Sequence, residues 1–289
     1  MVPGKSIVIR YRIVHTTEYR FSETAHYCRL AVMLTPRDGD GQRVAHCQII
    51  TRPMGEVIAR GTDAFGNRLT DIVIAEPLKR LVLSANSTVT VARPEEQTGA
   101  GINSGDPTVH LAPSGLVSPS PQIAGFARSF ADVTEDPVAL AEKLALHVKA
   151  NFAFQAGATH VGTTADEVLS LGRGVCQDFA HLSIAVLRSL GIPARYVSGY
   201  IYTAAFRGAA HRPAADLSHA WFEVFDRQAG WIGFDPANGR RVDHHYIAVA
   251  HGRDYNDVCA LKGRCKDGGA HTLHVAVDVQ RIDSPGPGQ

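Results

Sequence analysis

The stretch Gly172-Arg-Gly-Val-Cys-Gln-Asp-Phe-Ala-His181, continued by Leu182-Ser-Ile-Ala-Val-Leu-Arg-Ser-Leu190, decides how this chain is read. Phe179, Leu182, Val186 and Leu190 recur at helical spacing, while Ala180, Ile184 and Leu187 fill the adjoining face. A helix that is apolar nearly all round is buried within its domain. Its first turn carries Cys176, where free backbone N–H groups and the positive end of the helix dipole favour a thiolate. Gly172 and Gly174 allow a sharp turn and leave room beside the sulfur. The competing reading of a lone cysteine is a buried, inert thiol. Gln177 and Asp178 either orient the site or simply occupy the first turn, where an acid suits the dipole. His181, five residues past the cysteine, reads as a packing or hydrogen-bonding residue.

Downstream, Gly191-Ile-Pro193 stops the helix. Strands are predicted over residues 194–202, 218–225 and 230–235, with 246–250 and 271–281 adding edges. The loop 226–230 contains glycine and makes a hairpin of the second and third. If all five residues form the loop, Phe225 faces Trp231 and His219 lies diagonal to Asp235. If the loop is 226–228, His219 lies directly opposite Asp235. The registers differ by two residues, so both keep this pair on one face. Diagonal partners sit roughly 7–8 Å apart at Cα and direct ones about 5 Å, either close enough for a carboxylate to reach an imidazole. Taken singly, His219 reads as a structural histidine and Asp235-Pro236 as a strand-ending turn. Trp221 and Trp231 read as core or cleft wall.

Upstream, Ile123, Phe126, Ala127 and Phe130 share a helical face, and Asp136-Pro137 caps a second helix burying Leu140, Leu144 and Val148. Thr164 to Glu167 has capping-box spacing. Residues 92–121, rich in glycine, proline and serine, read as a linker. Before them, strand-like runs over 6–14, 26–34, 43–51, 57–60, 69–74 and 81–91 alternate with turn signals, the pattern of an antiparallel β-sandwich. Phe65-Gly-Asn67 reads as a tight turn with a buried aromatic.

Of the 289 residues, 45% are hydrophobic and 20% charged, and the net charge is +1, which gives no pull toward nucleic acid or an anionic membrane. No run of about 18 apolar residues is present to span a bilayer. Five cysteines without a secretion signal predict reduced thiols and a cytoplasmic location. No cofactor is implied. Cys259, Cys265, His271 and His274 could form a zinc-binding protein's site, but their spacing fits no usual one. His244 and His245 are expected to face solvent, and no metal site is expected.

A Cys–His–Asp set performs nucleophilic chemistry on acyl groups: histidine takes the thiol proton, the thiolate attacks a carbonyl, and the carboxylate orients the ring. Gly174-Val-Cys-Gln-Asp-Phe-Ala-His-Leu182, Gly191-Ile-Pro-Ala-Arg-Tyr-Val-Ser-Gly-Tyr200, His219-Ala-Trp-Phe-Glu-Val and Trp231-Ile-Gly-Phe-Asp-Pro-Ala-Asn238 resemble the bacterial transglutaminase-like superfamily over roughly residues 125–250. Tyr19-Arg-Phe-Ser, Leu34-Thr-Pro-Arg37 and Asp63-Ala-Phe-Gly-Asn-Arg68 are similar to the N-terminal β domain that often accompanies this core. The resemblance implies an α+β chain, with a papain-like helix packed on an antiparallel sheet, and catalytic Cys176, His219 and Asp235. Its members include transferases, proteases and amidases, so the substrate expected is a peptide or protein amide. No acidic loop like that of the calcium-dependent animal enzymes is present. The alternative is a non-catalytic peptide-binding module that keeps the cleft. The expected division is a β-sandwich over 1–100, a linker over 101–120, the catalytic unit over 121–283 and a tail over 284–289. The alanine-rich segment 203–216, beside the cleft, looks mobile rather than sealing, which favours water over an amine as acyl acceptor.

Overall fold

The computed structural model describes residues 7–39, 41–93, 106–131, 136–203 and 218–282. In chain order its elements are β1 (Ile7–Val32), β2 (Gln42–Arg52), β3 (Glu56–Thr62), β4 (Arg68–Ile74), β5 (Leu78–Arg93), α1 (Pro121–Ala131), α2 (Pro137–Asn151), β6 (Ala153–Phe154), α3 (Ala165–Leu171), β7 (Arg173–Gly174) and α4 (Cys176–Ser189). There follow β8 (Ala194–Ile201), β9 (Ser218–Asp226), β10 (Gly230–Asp235), β11 (Arg240–Arg241), β12 (Tyr246–Gly252), β13 (Leu261–Asp267) and β14 (His271–Arg281). The chain is α+β. No helix among the described residues is long and apolar enough to cross a membrane.

Helix α4 is the centre of the second half. Every residue from Asp178 to Leu187 is buried. It packs on the antiparallel sheet β11-β10-β9-β8-β12 and is covered by α1, α2 and α3. The helices start where the caps dictate: the Asp136 carboxylate accepts from the Val138 N–H, and Thr164 and Glu167 form the reciprocal capping box. Gly172 ends α3 at φ 64°, a left-handed conformation that glycine adopts at no steric cost.

The first sheet has the order β2-β5-β1-β4-β3, and β13 and β14 also pair with β1. Two expected strands, 6–14 and 26–34, are the ends of one strand, β1. Its inward positions include polar His15 and Thr17, which interrupt the apolar pattern yet are satisfied. His15 Nδ1 lies 3.0 Å from the Tyr200 hydroxyl, and Nε2 lies 3.1 Å from Thr17 Oγ1.

The expectation that 271–281 flanks the catalytic sheet is corrected. Strand β14 pairs with β1 from Tyr11↔Arg281 to Phe21↔His271, and β13 pairs with the distal half of β1. Valines 277 and 279 alternate as a half-buried strand should, but alternation does not name the partner sheet. Strand pairing therefore carries 261–281 back to the N-terminal sheet. The pairing also sets Cys28 opposite Cys265, and the two form a disulfide across 237 residues of sequence. The expectation of five reduced thiols is thereby overturned, and the cysteine count no longer argues for the cytoplasm. Cys47, Cys176 and Cys259 remain free.

The two halves join along the open edge of β12. The Gln42 amide donates to Ala248 O at 2.8 Å and accepts from Ala248 N at 2.9 Å. Asn67 does the same for His251, at 2.8 and 2.9 Å. Each primary amide supplies what a neighbouring strand would, so the edge is not left unpaired. In the turn Asp63–Asn67 the buried residue is Asn67, whereas Phe65, expected to be buried, is only half-buried.

Two stability measurements follow. Replacing Cys28 and Cys265 with serine frees a long loop in the unfolded chain and is expected to cost on the order of 2–4 kcal/mol, seen as a fall of several degrees in Tm; an unchanged Tm would show that the link is not formed. Burial holds His15 at about 4, His110 at about 3 and His181 at about 4, with Arg195 and Arg188 adding to the depression at His110 and Asp254 opposing it at His181. In the unfolded chain these rings protonate near about 6.5, so below that pH the unfolded state binds more protons and stability falls until about pH 4. Thermal melts between about pH 7 and about pH 5 should show this decline.

Candidate active site

The short parallel pair β6–β7 leads the chain into α4, so that Cys176 is its first residue. Asp178, at the third position of the helix, reaches back to accept from the Val175 N–H at 2.7 Å and from Thr159 Oγ1 at 2.6 Å. A side chain at position 174 would put its Cβ 2.7 Å from the Asp178 carboxylate, so Gly174 is the residue that this turn admits. Burial raises the Asp178 pKa, against the two hydrogen bonds. Gln177 turns away and donates to Val161 O at 3.1 Å. His181 is fully buried; its Nε2 accepts from the Tyr255 N–H and its ring lies 4.9 Å from that of Tyr196.

Strands β9 and β10 pair in the longer-loop register, with Phe225 opposite Trp231. His219 is diagonal to Asp235, and His219 Nε2 meets Asp235 Oδ2 at 2.7 Å. Cys176 is also among the groups that favour the charged form of the His219 ring. The hairpin thus pairs His219 with Asp235, and Cys176, at the start of α4, is near enough to influence the ring.

Asp235 is wholly buried and takes five hydrogen bonds. Oδ1 accepts from the backbone of Ala237 and Asn238; Oδ2 accepts from His219, from Asn238 Nδ2 at 2.6 Å and from the Tyr246 hydroxyl at 2.8 Å. Burial works to raise its pKa, but His219, Asn238 and Tyr246 outweigh it and the pKa is lowered. His219 follows the same balance. Burial favours the neutral ring, the charge and hydrogen bond of Asp235 favour the imidazolium more strongly, Cys176 adds to them, and the pKa is raised to about 10.

Sequence reasoning missed Asn238 and Tyr246. Asn238 carried a signal, since Asp-Pro-Ala-Asn is the spacing of an aspartate turn whose donors fold back. Tyr246 carried none. Trp221 is buried against Tyr246, with ring centroids 5.4 Å apart, and Trp231 lies half-buried under the Arg195 guanidinium at 4.3 Å. The zinc reading of residues 259–274 loses Cys265 to the disulfide. His244 and His245, expected to face solvent, are half-buried. Residues 204–217, which include all but the first residue of the segment expected to lie over the cleft, fall outside the described residues.

A helix-borne cysteine facing a histidine–carboxylate hairpin defines a papain-like core. Residues 124–236 match the transglutaminase-like superfamily, and residues 11–90 match the bacterial transglutaminase-like N-terminal region. An uncharacterised protein of Mycobacterium tuberculosis is 34% identical, the alignment covering 93% of this chain and 92% of the relative. One of Mycobacterium leprae is 32% identical over 94% and 99%. The solved structure of a candidate cysteine protease from Cytophaga hutchinsonii has the same fold, with a TM-score of 0.78 at 22% identity, covering 97% of this chain and 93% of that one. The chain belongs to the transglutaminase-like superfamily.

With Asp235 holding the imidazolium, Cys176 should react with iodoacetamide at about pH 6 far faster than Cys47 or Cys259, which have no histidine partner among the described residues. Asp235→Asn should slow this alkylation by about tenfold or more while leaving the other two thiols unchanged. Equal labelling of the three thiols, read by mass spectrometry, would show that the pair does not activate the sulfur.

Proposed function

We propose that this protein is an enzyme of thiol-dependent acyl transfer on amide bonds of peptides or proteins, with Cys176 as nucleophile, His219 as acid and base, and Asp235 as the group that orients it. One observation supports the reading: a buried carboxylate, Asp235, hydrogen-bonds His219, and Cys176, the first residue of α4, is among the groups that favour its imidazolium. The sulfur attacks the amide carbonyl, forming a C–S bond and placing negative charge on the oxygen. The backbone N–H of Cys176, without an acceptor inside the helix, is one donor for that oxyanion. The His219 imidazolium gives its proton to the leaving nitrogen, the C–N bond breaks, and a thioester remains. Neutral His219 then takes a proton from the attacking water as the C–S bond breaks, which releases the acid and restores the thiolate and the imidazolium. An amine in place of water gives transfer by the same steps.

Water is the acceptor we favour. A peptide containing glutamine, incubated with enzyme and excess primary amine, should yield mainly glutamate and little amine adduct, and Cys176→Ala should yield neither. A dominant adduct at millimolar amine would make the chain a transferase. Cleavage of the peptide backbone instead would make it a protease. No product with any peptide of a broad library would leave a binding module in its place.

A further inference from the structure

The turn between β11 and β12 carries Asp243, His244 and His245, none of which takes part in the chemistry above. Each offers one ligand atom, and the three atoms lie within 4.8 Å of one another. His245 Nδ1 and Asp243 Oδ1 stand 2.9 Å apart. Two ligands on a tetrahedral zinc, with bonds of about 2.0–2.1 Å, are separated by roughly 3.3–3.4 Å, so the Asp243–His245 pair needs only a small adjustment to share an ion. The rings of His244 and His245 are 4.1 Å apart at their centroids.

The backbone of this tripeptide is fixed from three directions. Arg93, at the end of β5, donates to Asp243 O at 2.7 Å; the Tyr11 hydroxyl of β1 donates to His244 O at 3.2 Å; and the Tyr202 N–H, after β8, donates to His245 O at 2.9 Å. Three donors held on a pinned backbone are preorganised, which lowers the ordering cost of binding. The Tyr202 ring lies parallel to that of His245, at 8° and 6.3 Å, and fixes its plane.

We propose that Asp243, His244 and His245 form a binding site for a divalent transition-metal ion of the zinc class. Two imidazoles and one carboxylate are the donor set of an open zinc site, with a fourth position left for an exchangeable ligand. Arg240 pairs with Asp243 Oδ2 at 2.5 Å and the His245 N–H donates to Oδ1 at 2.9 Å, so a metal takes the place of the proton shared by Oδ1 and His245 Nδ1, and the site is weaker than a closed four-ligand structural site. The next residue, Tyr246, is a donor to Asp235, so an ion here sits one residue from the hydrogen bonds that hold the active-site carboxylate. The proposal does not depend on which reaction the cysteine performs.

The test is a zinc titration of the full chain against a chromophoric chelator, after the free thiols have been alkylated so that sulfur cannot bind. One zinc per chain is expected. His244→Ala and His245→Ala should each weaken it by at least the roughly 10–100-fold that loss of even an outer-shell partner costs. His274→Ala should leave it unchanged. His245→Asn serves as a second variant if His245→Ala fails to melt cooperatively. No binding by the alkylated wild-type chain, or affinity retained in both histidine variants, overturns the site.

Discussion

A carboxylate with no exposure to water must collect donors in place of hydration, and Asp235 does so from three parts of the fold. His219 comes from the neighbouring strand, Asn238 from the turn just after it, and Tyr246 from β12, with β8 and β9 lying between β10 and β12 in the sheet. Removing any one would leave a buried charge short of a partner. The order of the sheet, the tight turn at residues 235–238 and the raised pKa of His219 are therefore aspects of one electrostatic requirement. The Tyr246 ring that reaches Asp235 packs nearly perpendicular to the ring of Trp221.

The N-terminal sheet enters the same requirement at one remove. Arg93 donates to the carbonyls of both Asp243 and Tyr246, and Gln42 and Asn67 complete the edge of β12. The strand that presents Tyr246 is thus held on one side by β8 and on the other by Gln42, Asn67 and Arg93 of the N-terminal sheet and its turns. Two primary amides act here as local substitutes for a strand. They bond specific backbone positions and, unlike a true strand, leave no further edge exposed.

What could be read from the chain follows from what kind of signal each feature leaves. Helix α4 was legible because burial on all sides removes polar residues from every face, and the capped starts of α2 and α3 were legible because caps are local. His219 and Asp235 could be placed on one face without knowing the register, since a two-residue shift preserves facing. The functional use of that pair rests on a sulfur that only the folded chain brings near. Tyr246 was hidden because its contact depends on where β12 joins the sheet, a matter no periodicity records. The same holds for β14, whose valines declare a half-buried strand but not its partner, and for Cys28 and Cys265, whose meeting is fixed by that pairing alone. His15 misled in another way: a polar residue in a core strand breaks the apolar pattern although Tyr200 and Thr17 satisfy it.

The pairing of β1 with β13 and β14 also sets an order on events during synthesis. Strand β1 leaves the ribosome before the other elements, yet along Tyr11–Phe21 and Ala25–Val32 one side of it has no partner until residues 261–281 have been made. Contacts of such sequence separation form slowly, and an unpaired edge is open to other chains while it waits. The helices around α4 and the hairpin of β9 and β10 draw on nearer neighbours and can assemble earlier. The nascent protein therefore completes its reactive half first and closes the sheet that braces it last.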